Sequence, residues 1–313
     1  MQIRRGPATV IGERTSLATA ASWKARRAAI REPGHSRRRI LRTGTVYPER
    51  ADESMPRRFS GAAAPSTADL PAVLADIAQI NTYFAVGTGP VDNGWCSVHQ
   101  LYTDRDLLAG IVERVQARLG AAEPRVAASI FFLGFAARLW SIGIGAVAGH
   151  RLLPALGADE LLFREIGGQI ALHIARPVAW RGDDLESRLA DAVLDAHLTP
   201  LSTALHRLTN VSPELLRGNA ASALLGAARE YDRHRAAASP GPGWQLARRL
   251  CADERLLNTI CFIDDDYRRS SCCLYYRTPS GGLCGDCVFT QVPGTVGRQG
   301  RIMIAEMSER EVR

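Results

Sequence analysis

Four cysteines fall within sixteen residues toward the carboxy-terminal end of the chain, in the run Cys272-Cys273-Leu274-Tyr275-Tyr276-Arg277-Thr278-Pro279-Ser280-Gly281-Gly282-Leu283-Cys284-Gly285-Asp286-Cys287. Thiolates are soft ligands for zinc, copper(I) or iron-sulfur clusters, and four of them match the ligand number of a tetrahedral zinc site or a 2Fe-2S cluster. Structural zinc sites usually bring their cysteines in as two C-x2-4-C turns, and only Cys284 and Cys287 have that spacing. Cys272 and Cys273 are adjacent. Neighbouring side chains in an extended segment point apart, so a vicinal pair suits a two-iron rhomb, which is wider than one ion, at least as well as a single metal. A structural zinc ion and a redox-labile vicinal disulfide are the other readings of the same residues.

For either metal the second pair must fold back onto the first. Pro279, Ser280, Gly281 and Gly282 mark a turn that would do this. Gly285 is expected to leave room for the backbone to pass close to the sulfurs.

The pattern C-C-x10-C-x2-C resembles the carboxy-terminal signature of the FhuF-type ferric siderophore reductases. The resemblance implies a 2Fe-2S cluster with ligands at Cys272, Cys273, Cys284 and Cys287, and makes Tyr275-Tyr276-Arg277 and Gly285-Asp286 family-like surroundings. Weaker likeness runs upstream over about residues 131 to 230. Arg217-Gly218-Asn219 stands where the family has Trp-Gly-Asn, and Val288 where some members carry proline. The activity implied is one-electron reduction of siderophore-bound Fe(III). The chelators favour the hard Fe(III) ion, so reduction releases iron. The expected partners are a ferric siderophore and an electron donor of ferredoxin or flavin reductase type. The expected place is the cytoplasm, with peripheral contact at the inner face of the membrane. Arg268, Arg269 and Arg277 border the cysteines and could draw an anionic chelate, or could offset cluster charge or pair with Asp264, Asp265 and Asp266.

Composition leaves two other function classes open. Residues 1 to 60 carry fourteen Lys or Arg against five Asp or Glu, while the remainder holds 25 against 27, so the net charge of +7 belongs to the amino-terminal tail. An iron-sulfur or zinc regulatory protein could use that tail on nucleic acid, but no helix-turn-helix accompanies it, and nucleic acid is not an expected partner. A redox-inactive siderophore-binding relative with structural cysteines is the third reading. The tail, residues 1–67, has clustered Arg, scattered Pro and Gly and no apolar h-region, so it reads as disordered, with Met55 as an alternative start. Cys96, Cys251 and Cys261 have no regular spacing and read as buried free thiols.

The elements that must position the cysteines are mostly helical. Helical spacing of Leu70, Val73, Leu74, Ile77 and Ile80 predicts a helix from Asp69, and a second runs from Asp104 to a stop at Gly120. Val126 to Gly149 is long and apolar enough to span a membrane, but Arg138 at its midpoint favours a buried core helix. Leu161 to Ile166 and Gln169 to Arg176 flank Gly167-Gly168 as a β-hairpin with a tight turn. Within it His173 reads as a structural histidine. Leu185 to Leu208 predicts a helix kinked or broken at Pro200, Ser212-Pro213-Glu214 starts another, and Trp244 to Leu257 gives a short one. Asn219 lies mid-helix and needs a partner if buried. The fold expected is α+β, mostly helical, with a small antiparallel hairpin or sheet. Residues 68–240 form the helical body, and residues 241–313 a cluster-binding carboxy-terminal module set off by the linker Ser239-Pro240-Gly241-Pro242-Gly243.

Overall fold

The longest apolar run of the sequence becomes the helix around which the others pack. In the computed structural model, which describes residues 69–166, 169–264 and 266–293, it is preceded by α1 (Leu70–Ile77), β1 (Gly87–Thr88), β2 (Cys96–Ser97), α2 (Gln100–Thr103) and α3 (Arg105–Leu119). The basic tail and Met55 lie outside the described residues. The Asp104 carboxylate accepts the Asp106 and Leu107 amides, both at 3.0 Å, and so caps α3. Gly120 ends it in the left-handed conformation at φ 59°, as its sequence predicts.

The central helix, α4 (Pro124–His150), is apolar nearly all round and buried on most sides, as a helix enclosed by neighbours must be. Its length and composition alone would let it cross a membrane; here it is packed by α1, α3 and the helices that follow. Arg138 is 8% exposed, and its guanidinium donates to the Thr82 carbonyl (2.8 Å) and Gln169 Oε1 (3.2 Å).

Strands β4 (Leu161–Ile166) and β5 (Gln169–Ile174) pair antiparallel in the predicted register, from Leu161↔Ile174 to Ile166↔Gln169. Gly167 and Gly168, the expected turn, lie outside the described residues. Two strands of two residues, too short to leave any alternation in the sequence, complete the sheet: β1 runs parallel to β5 and β2 antiparallel to β4, in the order β1-β5-β4-β2. β3 (Leu153–Pro154) pairs with β6 (Ala179–Trp180). His173 is structural, its Nε2 bonded to the Gly89 carbonyl at 2.8 Å and its ring tilted against Trp95.

The expected kink at Pro200 is replaced by a change of helix type. α5 (Leu185–Ala190) passes into π-helical turns over Asp191–Leu198 and then into α6 (Thr199–Thr209). The Thr199 amide bonds the Leu194 carbonyl, an i to i−5 bond, so the widened turn absorbs the bond that Pro200 cannot make. His197 sits in this stretch fully buried, with Nε2 2.6 Å from the Leu156 carbonyl and Nδ1 2.7 Å from the Tyr102 hydroxyl. Those partners fit a neutral ring that donates from Nε2 and accepts at Nδ1, and burial pushes its pKa down to about 4.

α7 (Pro213–His234) starts at Ser212, whose hydroxyl caps it, and lies along α4. The Asp232 carboxylate then accepts the amides of Gly243 (2.9 Å) and Trp244 (2.8 Å), which turns the chain into α8 (Pro242–Leu250) against α7 and α4. A 3-10 turn (Glu254–Leu256) leads to a hairpin the sequence did not announce, β7 (Ile260–Ile263) with β8 (Asp266–Arg269). Asp264, read as part of an acidic cap, serves its turn at φ 53°; Asp265 lies outside the described residues. Trp244 and Tyr267 pack 5.9 Å apart under the Arg229 guanidinium and fasten this hairpin to α7. The fold is α+β and mostly helical with small sheets, and the described residues all belong to one compact unit.

Candidate metal centre

β8 runs directly into the cysteines, and its last residue is the first anchor of the site. Arg269 is 2% exposed; its Nε lies 3.1 Å from Asp286 Oδ2, and its amide donates to the Asp286 carbonyl at 3.0 Å. Its Nη1 donates to Asn219 Oδ1 at 2.7 Å. Asn219 in turn donates from Nδ2 to the Ser129 carbonyl (3.0 Å) and Oγ (2.9 Å), and the Ser129 hydroxyl donates to the Cys273 carbonyl at 2.7 Å. One chain of buried polar groups therefore joins α4, α7, β8 and the cysteine loop, each satisfying the next. Asn219 is thus a structural bridge.

Gly218 explains its place beside that bridge. A Cβ there would lie 2.2 Å from Ser271 Oγ, so glycine is what lets the strand end approach α7. Arg217, at the position where tryptophan is expected, instead donates to the carbonyls of Arg255 and Leu257, both at 3.1 Å.

The loop itself is a sequence of tight turns. Leu274 is left-handed at φ 66°, a 3-10 turn covers Tyr275–Arg277, and Gly281 passes where a Cβ would lie 2.0 Å from the Tyr275 carbonyl oxygen. The Pro279 to Gly282 segment thus turns the second pair back as expected. The chain reverses at Leu274, directly after the vicinal pair. A Cβ at Gly285 would meet no atom within 4 Å outside its chain neighbours, so that position has open space beside the sulfurs.

Backbone amides point at the sulfurs. Leu274 N–H donates to Cys272 Sγ (3.3 Å), Phe289 N–H to Cys287 Sγ (3.4 Å), and the Tyr275 amide to Cys273. The Cys273 thiol is held far below its ordinary range by hydrogen bonds from Cys272 and then Cys284, with the Arg269 charge adding to them. Cys272 and Cys284 are pushed up, first by their hydrogen bonds to Cys273 and then by burial. Thiolates gathered this closely repel one another, so ionising all of them requires a cation in their midst. Cys96, Cys251 and Cys261 are free thiols as expected, but they are not buried as expected: Cys96 and Cys251 are partly exposed and Cys261 lies at the surface. No three His, Cys, Asp or Glu side chains among the described residues already stand as ligands around a single ion. The loop gathers all four cysteines within one turn-rich segment, and four thiolates are the ligand number of a 2Fe-2S cluster.

The family model described as FhuF 2Fe-2S C-terminal domain matches residues 269–289. This segment is similar to an FhuF-type 2Fe-2S domain. No curated protein matches the chain. The match opens at Arg269 and closes at Phe289, so the FhuF-type segment includes the buried ion pair as well as the four cysteines.

Three arginines read as bordering the cysteines prove to have different tasks. Arg269 is buried on Asp286, and Arg277 pairs with Glu123 at the start of α4. Asp266 reaches Arg229 on α7. Arg268 borders the site on β8, half-buried, opposite Cys261. Ser129, Glu123 and Asp286 as supports were not recognised from sequence. Ser129 carried the one usable signal, a hydroxyl inside an otherwise apolar run, which in a buried helix must find an acceptor.

Proposed function

We propose that Cys272, Cys273, Cys284 and Cys287 hold the 2Fe-2S cluster and that the protein reduces ferric siderophores, taking its electron from a ferredoxin or flavin reductase in the cytoplasm. The observation that carries this is the folding of both cysteine pairs into one loop with amide donors on the sulfurs of Cys272, Cys273 and Cys287, inside the segment that matches the family. A bound 2Fe-2S cluster supplies one electron at a time, at a potential set by charge, hydrogen bonds to sulfur and exposure.

The chain's own residues act on those quantities. The three amides and the Arg269 guanidinium stabilise negative charge on sulfur, which favours the reduced state. The Ser129, Asn219 and Arg269 chain fixes the loop in one geometry, so little has to rearrange when charge changes. No acid or base is needed, because the Fe(III) substrate gains only an electron and its hard oxygen chelator then holds Fe(II) weakly.

The test is iron, acid-labile sulfide and EPR on anaerobically purified protein. Two irons and two sulfides per chain, lost in Ser variants at any of the four positions and retained in Cys96→Ser, Cys251→Ser and Cys261→Ser, are expected. The EPR signal of the reduced protein should vanish on addition of a ferric siderophore. Zinc without sulfide would remove the reading.

A further inference from the structure

The cysteine loop offers no free arginine for an anionic substrate at Arg269 or Arg277, but the neighbouring face of α4 does. A cavity of about 330 Å³ lies between α3, α4 and β5, lined among others by Arg118, Arg138, Tyr83, Phe131 and Gln169. A second of about 530 Å³ adjoins it, and Arg138, Gln169 and Ile170 line both. The first cavity begins at Ile130, the residue after Ser129, whose hydroxyl holds Cys273. It also reaches Arg118, two residues before the Gly120 against which Pro279 of the cysteine loop packs.

Arg138 is out of place as a purely structural residue. It is 8% exposed on a core helix, yet both of its hydrogen-bond partners, the Thr82 carbonyl and the Gln169 amide, are neutral. Those bonds use two of its five N–H groups. Tyr83, half exposed at the rim, lies 5.0 Å under the guanidinium. Among the described residues no carboxylate pairs with Arg138 or with Arg118, and the one acid in the cavity wall, Glu165, is taken by Arg114 at 2.7 Å. A buried charge without a counter-ion is costly, and a neutral amide could satisfy the same two acceptors. The retained charge calls for an anion from outside.

We propose that this cavity binds a net-anionic ferric chelate, with Arg138 and Arg118 taking its carboxylate or catecholate oxygens and Tyr83 and Phe131 its organic body. The iron in that ligand rests on the reductase reading; the anion site does not. Guanidinium and planar anionic oxygens match as a fork, and the aromatic rim adds contact with an aryl donor.

Calorimetric titration of the oxidised holoprotein, where no turnover occurs, separates the two. The probes are the anionic tris complex of Fe(III) with 2,3-dihydroxybenzoate and the neutral tris complex with acetohydroxamate. Arg138→Gln should weaken the anionic complex by about tenfold or more, the usual worth of a hydrogen bond to a charged group. Arg118→Gln, at an exposed position, should weaken it by about threefold. Affinity for the neutral complex and the visible spectrum of the cluster should not change. If Arg138→Gln does not fold, Arg118→Glu leaves the core untouched and must still weaken the anionic complex while sparing the neutral one. Equal affinity of wild type and variants for the anionic complex, or parallel loss for both complexes, would overturn the site. Arginine-dependent binding without any reduction upholds the site and removes the reductase reading; reduction indifferent to both arginines does the reverse.

Discussion

Arg269 Nε and Asp286 Oδ2 form a buried ion pair at 3.1 Å that joins the entry of the cysteine loop to its exit. Arg269 stands three residues before Cys272, and Asp286 lies between Cys284 and Cys287. Burial alone would lower the arginine's pKa; Asp286 first, then the sulfurs of Cys273 and Cys284, outweigh it and raise the value. The guanidinium is therefore a fixed positive charge beside the thiolates, and Asp286 balances what the sulfurs do not.

Asp286→Asn keeps the shape and removes that balance. Breaking one side of a buried pair leaves an uncompensated charge, so the holoprotein should lose about 3 kcal/mol or more in urea unfolding, with less iron retained per chain. Unchanged unfolding and unchanged iron content would show that the pair supports neither the loop nor its cofactor.

Gly218→Ala should destabilise by about 1–3 kcal/mol, the usual cost of overpacking a fitted contact, because the new methyl falls 2.2 Å from Ser271 Oγ. The Ser271 hydroxyl has no hydrogen-bond partner among the described residues, so removing it forfeits no bond there. Gly218→Ala with Ser271→Ala should thus recover most of the loss in melting temperature and iron content. A double variant no better than the single one would place the strain elsewhere.

His197 links stability to acid. Its folded pKa of about 4 lies below the unfolded value near 6.5, so between those values the unfolded chain binds more protons and stability falls as pH falls. The contribution is complete above about pH 6.5, is reduced by about 2 kcal/mol at pH 5, and is lost, about 3 kcal/mol in all, below pH 4. Urea midpoints between pH 7 and 5 should drop more steeply for the wild type than for His197→Gln. Parallel slopes would mean that the ring is not held neutral by its burial.

The long, strongly patterned elements were legible because each carried its own physics. Asp104 and Gly120 bracket a helix by capping chemistry, and the run around Phe131 to Ile142 is too apolar to lie anywhere but inside. The cysteines were legible because four soft donors within sixteen residues suit few purposes. What stayed hidden was pairing at a distance. β1 and β2 are two residues each, so no period exists to be read. Ser129 and Cys273 are separated by 144 positions, and nothing local in either marks the other. At Pro200 the local rule was sound but incomplete: a missing N–H breaks an α-helical bond, and a π turn is another way to absorb it. Likewise Arg268, Arg269 and Arg277 looked equivalent in sequence, and only burial separates a structural charge from a surface one.

The matched segment of residues 269–289 rests on Ser129, Glu123 and Asn219, all supplied from far upstream. A peptide cut to that segment would keep every sulfur and lose the groups that hold them in place. The smallest unit that keeps the four sulfurs in their places is therefore the loop together with the helix pair beneath it, so a substitution in α4 or α7 can loosen cysteines that stand more than fifty positions away in sequence.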